Sequence, residues 1–321
     1  MRVFVTGATG FIGFAVVKEL LAAGHHVIGL ARSEASASQL RKSGAEALIG
    51  AVEDLDRLRR AASAADAAVH TAFYHKISHM PFGARLRVFL GGAPGKIAMR
   101  FIGAAVAADR RAIETIGAAL PGNGSPFVAT FGTLAMKSGR LATEDESYDR
   151  DAPFTTGRAG NEDVLGAFVA RGVRTSAIRL PPIVHGPGQY GLASMFFLSA
   201  QKKKQSAYEG DGLNRWPSAH RDDVARLFRL ALEKGAAGGA YHGVAEEGVP
   251  MRDIAKAIGK RLNVPVVAKS KAEAAKHFGF IAPLVSIDNP ASSELTRERL
   301  GWQPTGIGVL ADLEQAEVAG A

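Results

Sequence analysis

The sequence predicts an α/β chain, a doubly wound parallel sheet followed by a smaller C-terminal lobe. Three observations carry this. Short apolar runs alternate with stretches of helical spacing as far as Leu180. The first run ends on a glycine cluster, Gly7, Gly10 and Gly13, that opens a helix. After Pro181 the rhythm gives way to loop-rich stretches such as Gly186-Pro187-Gly188 and Gly210-Asp211-Gly212.

Strands are expected at Arg2–Thr6, Val27–Leu30, Ala47–Ile49, Ala67–Thr71, Phe127–Phe131 and Thr175–Arg179. Helices are expected at Phe11–Ala23, Asp54–Ala64, Val106–Leu120 and Pro153–Arg171. Such alternation builds a parallel sheet with helices on both faces, whose ligands bind at the carboxyl ends of the strands. The expected domains are residues 1–180 and a substrate lobe of residues 181–321, with some C-terminal segments returning to the first. The lobe carries helical patterns at Asp222–Leu232 and Met251–Leu262. Between Ala72 and Val106 runs a long connection, and connections of this length are commonly functional. It carries Tyr74, His75, Lys76, His79, Arg85, Arg87, Lys96 and Arg100, so residues 73–105 are a candidate substrate lid. The apolar part, Phe89–Ala108, reads as a buried or capping segment.

Composition excludes several classes. At 321 residues, 47% hydrophobic and 22% charged, the chain is globular rather than disordered or fibrous. It has no uncharged apolar run of about 18 residues, the length a spanning helix needs. The first strand starts at Arg2, so no leader and a cytoplasmic location are expected. With no cysteine, disulfides, thiolate metal sites and a cysteine nucleophile are excluded. The net charge of +8 is dispersed, and its one tight run, Lys202-Lys203-Lys204, lacks interleaved aromatics. Neither a nucleic acid nor a membrane is expected as partner. The nine histidines show no metal-ligand spacing, so no metal is expected.

The turn Thr6-Gly7-Ala8-Thr9-Gly10-Phe11-Ile12-Gly13 joins a strand to a helix. Gly7 permits the tight turn, Gly10 clears the approach to main-chain N–H groups, and Gly13 lets the helix pack close. A helix start offers unpaired donors and partial positive charge to a pyrophosphate. In this context the motif is a dinucleotide fingerprint of the Rossmann type, with Thr9, Phe11 and Ile12 lining it. Where NAD-binding folds place an acid for the ribose, the second strand is followed by Arg32 and Ser33. Arg32 can grip a 2′-phosphate and Ser33 can add a hydroxyl. NADP(H) is therefore the expected cofactor. Glu34, one step on, is the residue that would serve NAD(H) instead.

The residues resemble the extended short-chain dehydrogenase/reductase family, also called the NAD-dependent epimerase/dehydratase family. The resemblance rests on the opening TGATGFIG, Val69-His70-Thr71-Ala72, and the stretch from Arg179 ending in His185-Gly186-Pro187-Gly188. It continues through Gly210-Asp211-Gly212, His220-Arg221-Asp222-Asp223-Val224 and Leu300-Gly301-Trp302-Gln303-Pro304. It implies nicotinamide-dependent redox or epimerase chemistry. Thr71, Ala72, Thr130, Pro182 and Ile183 would border the cofactor. The family's Asp after strand three is replaced by Ala51, leaving adenine to the backbone of Val52 and apolar packing.

The family's catalytic pair is Tyr-x-x-x-Lys. Aligned on Pro153 and Glu162, this chain has Phe154 and Arg158 there, making it an atypical member. A phenyl ring neither donates nor takes a proton, and a guanidinium is no base, although Arg158 can still hold ribose hydroxyls. Proton donors then come from elsewhere, with His185, Tyr148 and water as candidates. Thr133 is the candidate to orient a substrate oxygen. His220 is expected to fix the lobe junction with Asp222 or Asp223.

The expected function is an NAD(P)(H)-dependent oxidoreductase or epimerase acting on a small carbonyl or hydroxyl substrate. Two alternatives stand beside it: a catalytically silent NADP(H) sensor or partner-regulating protein, and a nucleotide-sugar epimerase or dehydratase. A small molecule is the expected partner, and a homodimer is left open.

Overall fold

Val3, Phe4 and Val5 have no access to solvent, as a strand covered on both faces requires. They lie in β1 (Arg2–Thr6), which is followed by α1 (Phe11–Ala22), β2 (His26–Ala31), α2 (Glu34–Lys42) and β3 (Glu46–Ile49). Next come α3 (Leu55–Ser63), β4 (Ala67–His70), α4 (Phe82–Leu90), α5 (Ile97–Ala119), β5 (Pro126–Gly132), α6 (Arg158–Ala167) and β6 (Arg174–Leu180). The later part runs β7 (Ile183–Gly186), β8 (Gln189–Tyr190), α7 (Ala193–Lys203), β9 (Ser206–Glu209), β10 (Arg215–His220) and α8 (Arg221–Lys234). It ends with β11 (Gly239–His242), β12 (Glu246–Pro250), α9 (Met251–Leu262), β13 (Val266–Lys269), α10 (Lys271–Phe278), α11 (Ala282–Val285), α12 (Glu294–Leu300) and α13 (Val309–Gln315). The structure, a computed structural model, describes residues 1–150 and 157–316.

The main sheet has seven strands in the order β11-β6-β5-β4-β1-β2-β3. It is the parallel, helix-flanked sheet of the Rossmann type. β1 pairs in parallel with both β2 and β4, Val3 facing Val27 on one side and Ala67 on the other. Chain order therefore reverses between β1 and β4, which is where such sheets open a crevice at their carboxyl ends.

The chain forms two compact units, each built from three separate stretches. The first comprises Met1–Phe131, Thr156–Ala177 and Phe228–Gly239. Its last stretch is stitched in by named contacts. Arg174 donates to the carbonyls of Leu232 and Gly235, both at 2.7 Å. Arg229 donates to Glu19 at 2.7 Å and His25 meets Glu233 at 3.0 Å. Helix starts here follow capping chemistry: Ser33 accepts from the Ser36 amide and Asp54 from the Arg57 amide.

The second unit comprises Gly132–Thr155, Ile178–Leu227 and Ala240–Ala321. It holds a four-stranded sheet, β12-β10-β7-β8, and the β13-β9 pair. Its core gathers around Trp216, with Phe196, Ile254, Ile258, Phe278 and Leu313. The lysine run closes α7, with Lys204 in the left-handed conformation that ends the helix.

Three sequence expectations change. The stretch after Ala72 is not one long connection, because α4 occupies its middle and α5 begins at Ile97, ahead of the expected Val106. Three glycines and Pro94 within residues 91–95 hide that helix start from periodicity. Phe89–Ala108 is not a buried segment, since Phe89, Leu90, Met99 and Ile102 are exposed. The helix expected over Pro153–Arg171 is α6 followed by a short 3-10 turn, Phe168–Arg171. Its expected start, with Phe154, lies outside the described residues.

Candidate dinucleotide site

The site starts where β1 ends. Gly7 has φ +70°, and a Cβ there would fall 2.5 Å from Thr71 Oγ1 and 2.7 Å from the Ala72 amide nitrogen. The turn closes through a hydrogen bond from the Gly10 amide to the Gly7 carbonyl at 2.9 Å. A Cβ on Gly13 would fall 2.1 Å from the same carbonyl oxygen. Gly7 and Gly13 are thus required by the packing of α1 against β1 and the end of β4. Gly10 is different. Its φ of −78° suits any residue, and a Cβ there would meet only the Gly7 oxygen, at 3.2 Å. Gly10 is also the N-cap of α1 and has no side chain to occupy the helix's first donors. No acid stands in the first turn to compete with an anion. These residues fit a dinucleotide pyrophosphate. Thr9, Phe11 and Ile12 are half-buried around the turn.

Beyond β2, Arg32 is exposed, its Nη1 donating to the His79 carbonyl at 3.2 Å. Ser33 caps α2 and donates to Ser36 Oγ at 3.1 Å. Glu34 forms an ion pair with Arg41. Val52 is half-buried against the cluster of Tyr74, Met80, Val88, Ala105 and Ala108. Thr71 folds back, its hydroxyl donating to the Thr6 carbonyl at 2.9 Å, while Ala72 meets the turn through its amide. Thr130 donates to the His70 carbonyl at 3.1 Å. Arg158, the first residue of α6, donates to the Thr130 carbonyl at 3.0 Å and stacks 4.1 Å above the Phe73 ring. Such stacking holds a planar cation in one orientation.

Beneath the strand ends lies a buried polar network that the sequence reading did not find. His70 Nδ1 is 2.7 Å from Thr6 Oγ1, and its Nε2 is 3.1 Å from Asp109 Oδ1. Asn161 donates to Asp109 Oδ2 at 2.6 Å and to the Val106 carbonyl at 3.1 Å. Burial pushes the Asp109 carboxyl up, but hydrogen bonding and charge from His70, aided by Arg158 and Asn161, hold it below the usual carboxylate range. With Asp109 ionised, Nε2 is the His70 nitrogen that donates to it. The network ties β1, β4, α5 and α6 together under the turn. One signal was legible: an isolated acid, Asp109, on the inner face of an alanine-rich helix.

The remaining candidates belong to the second unit. Thr133 is fully buried, its hydroxyl donating to Asn289 Oδ1 at 3.1 Å while Asn289 donates back to its carbonyl at 3.0 Å. The structure commits this hydroxyl to a structural tie. Tyr148 packs on Met136, Ala142, Val244 and Ala291, with the Arg179 guanidinium 4.8 Å above its ring. His185 is buried, its Nδ1 2.6 Å from Asp312, with the His220 ring edge-on at 5.5 Å. Burial pulls its pKa below the usual imidazole value against the opposing pull of Asp312. Ile183 gives its side chain to the core around Trp216, and the Pro182 carbonyl accepts from Leu192. The His220 imidazole accepts from the Asp222 amide at 3.3 Å.

Residues 7–131 match the family described as NAD(P)H-binding. An uncharacterized protein of Schizosaccharomyces pombe is 44% identical over 98% of both chains. The crystal structure of the dTDP-glucose 4,6-dehydratase DesIV of Streptomyces venezuelae, with NAD bound, superposes at a TM-score of 0.73. That likeness covers 98% of this chain and 95% of the other at 21% identity, and speaks for the fold. The chain belongs to the extended short-chain dehydrogenase/reductase family. A further relative of this chain is the 2-alkyl-3-oxoalkanoate reductase of Stenotrophomonas maltophilia, 27% identical over 84% of this chain and 78% of that one. Family and fold are those of enzymes that use a nicotinamide dinucleotide for oxidoreduction or epimerisation. Phe154, which the sequence reading aligns with the tyrosine of the family's catalytic pair, lies outside the described residues, and Arg158, which it aligns with the lysine, is the stacked guanidinium above.

Proposed function

We propose that this chain is an NADP(H)-dependent reductase of a small carbonyl substrate, working without the family's tyrosine–lysine pair. The observation that carries the reading is Gly10, a glycine that backbone conformation does not demand and packing demands far less than at Gly7 or Gly13, its Cβ meeting one carbonyl oxygen at 3.2 Å. Its place at an uncapped helix start makes sense when a phosphate group must come close to the main chain. The preference for NADP(H) is supported by Arg32 after β2 and by Glu34 being paired with Arg41 rather than held towards a ribose. A bound nicotinamide would supply the hydride, and the alkoxide so formed would take its proton from water. Arg158 then holds a ribose hydroxyl from its place on Phe73, and the buried His70–Asp109–Asn161 network keeps the turn and α6 in register.

Arg32→Asp is expected to weaken NADPH binding by about tenfold to a hundredfold, the loss of about 1.5–3 kcal/mol for a charge-assisted hydrogen bond. NADH binding should change far less. Equal weakening of both, measured by calorimetry, would remove the 2′-phosphate role from Arg32. Turnover is tested with stereospecifically deuterated NADPH and a panel of small ketones and aldehydes, where label is expected in the alcohol product. A second reading, a cofactor sensor without turnover, is favoured by the commitment of the Thr133 hydroxyl to Asn289. Tight NADPH binding with no label transfer to any carbonyl would select it.

A further inference from the structure

The helix α4 is amphipathic in the opposite sense to a core helix. Its inner face carries Val88 and Ala84, which pack on the cluster of Tyr74, Met80, Ala105 and Ala108. Its outer face carries Phe82, Leu86, Phe89 and Leu90, and Phe82 and Leu90 are 71% and 74% exposed. At helical spacing these four fall within an arc of about 100°. Arg85 and Arg87 stand on either side of that arc, with the Arg85 guanidinium 5.8 Å above the Phe82 ring. The first turns of α5 extend the apolar surface through Met99 and Ile102, Met99 being 71% exposed. Arg100 fixes the two helices together, donating to the carbonyls of Val88 at 2.7 Å and Ala93 at 2.9 Å.

The charge around this surface has one sign. From Ala67 to Ala108 there is no Asp or Glu, while Lys76, Arg85, Arg87, Lys96 and Arg100 all fall within it. Elsewhere in the same unit several surface arginines have acidic neighbours, as in Arg57 with Asp54 and Arg110 with Glu114. An exposed apolar stripe of this kind marks an interaction surface. Flanking arginines can lay their stems along an apolar layer while their heads reach anionic groups at its edge.

We propose that the outer face of α4 and the start of α5 form an interfacial docking surface for an anionic lipid bilayer. Phe82, Leu86, Phe89, Leu90 and Met99 enter the headgroup layer, and Arg85, Arg87 and Lys96 pair with lipid phosphates and carboxylates. The recess between the two helices, lined by Gly91, Gly92 and Lys96, lies beside the stripe at headgroup level. This departs from the expectation of no membrane contact drawn from composition, because exposure of the stripe is a property of the folded helix pair. The contact is interfacial only: no helix among the described residues is long and apolar enough to cross a bilayer. A second copy of this chain is the poorer occupant. A two-fold contact on this patch would set Arg85, Arg87 and Lys96 against their own copies with no acid in the segment to offset them. A bilayer offers negative charge and an apolar layer together, and requires no matching groove.

The test is co-sedimentation of the full chain with vesicles of phosphatidylcholine containing phosphatidylserine, against vesicles of phosphatidylcholine alone. Binding to the anionic vesicles is expected to be at least about tenfold tighter and to weaken as salt is raised. Arg85→Glu with Arg87→Glu should remove that difference. Phe89→Ser with Leu90→Ser should lower binding to anionic vesicles by about tenfold or more. Arg87, Phe89 and Leu90 face solvent and Arg85 is half-buried beside Phe82, so the serine variant should keep the wild-type thermal melt and both variants the wild-type NADPH affinity. Three results would overturn the proposal: no sedimentation with either vesicle, equal binding to both, or a dimer in analytical ultracentrifugation that the same substitutions dissociate.

Discussion

Gly13→Ala is expected to abolish measurable dinucleotide binding and to destabilise the first unit. The added methyl would lie 2.1 Å from the Gly7 oxygen and 2.7 Å from both the Gly7 carbonyl carbon and Thr71 Oγ1. Two of those atoms are backbone, so no side-chain rotation relieves the clash. α1 must move away from β1, at the cost of about 1–3 kcal/mol usual for overpacking. The same movement withdraws the helix start from the phosphates. Gly10→Ala separates the two effects. Its Cβ meets one atom, at 3.2 Å, in a backbone conformation that alanine adopts freely. Thermal stability should therefore fall far less than in Gly13→Ala while NADPH and NADH affinity falls by about tenfold or more. Calorimetry beside a thermal melt checks both. Full affinity in Gly10→Ala would mean that no phosphate approaches the main chain there.

Asp109→Ala is the second large effect, a loss of about 3 kcal/mol in denaturant unfolding. The carboxylate accepts from His70 on one oxygen and Asn161 on the other, all three side chains being buried. Removing it leaves an imidazole N–H and an amide N–H without an acceptor where water does not reach, each costing about 1–3 kcal/mol. Asp109→Asn keeps one carbonyl oxygen and should lose less than half as much. Thr6 and α6 are held through the same network, so cofactor affinity should fall alongside stability. An Asp109→Ala protein that unfolds with wild type would show that the network bears no weight.

The parts of this molecule legible in its sequence are those set by neighbours along the chain. The glycine turn is local: Gly7, Gly10 and Gly13 sit within one strand-to-helix junction, so spacing alone exposes the geometry. The strands were legible because burial on both faces demands unbroken apolar runs such as Val3-Phe4-Val5. What escaped depends on distant residues or on solvent. α4 shows its apolar residues outwards, and a pattern of apolar spacing cannot tell an inner stripe from an outer one. The His70 network joins residues separated by 39 and 52 positions. Phe73 was passed over because nothing local marks it as the platform for Arg158. Thr133 and Tyr148 were singled out for their chemistry, yet Asn289 and Arg179, which engage them, come from far along the chain.

Each unit closes with chain that is synthesised late. The first needs Phe228–Gly239, whose Gly235 and Glu233 receive Arg174 and His25. On a ribosome, the nucleotide-binding half must wait for nearly three quarters of the polypeptide to emerge before its last helix can dock. Truncation at the apparent boundary near Leu180 would strand its strands without that helix, so the half is not a portable module.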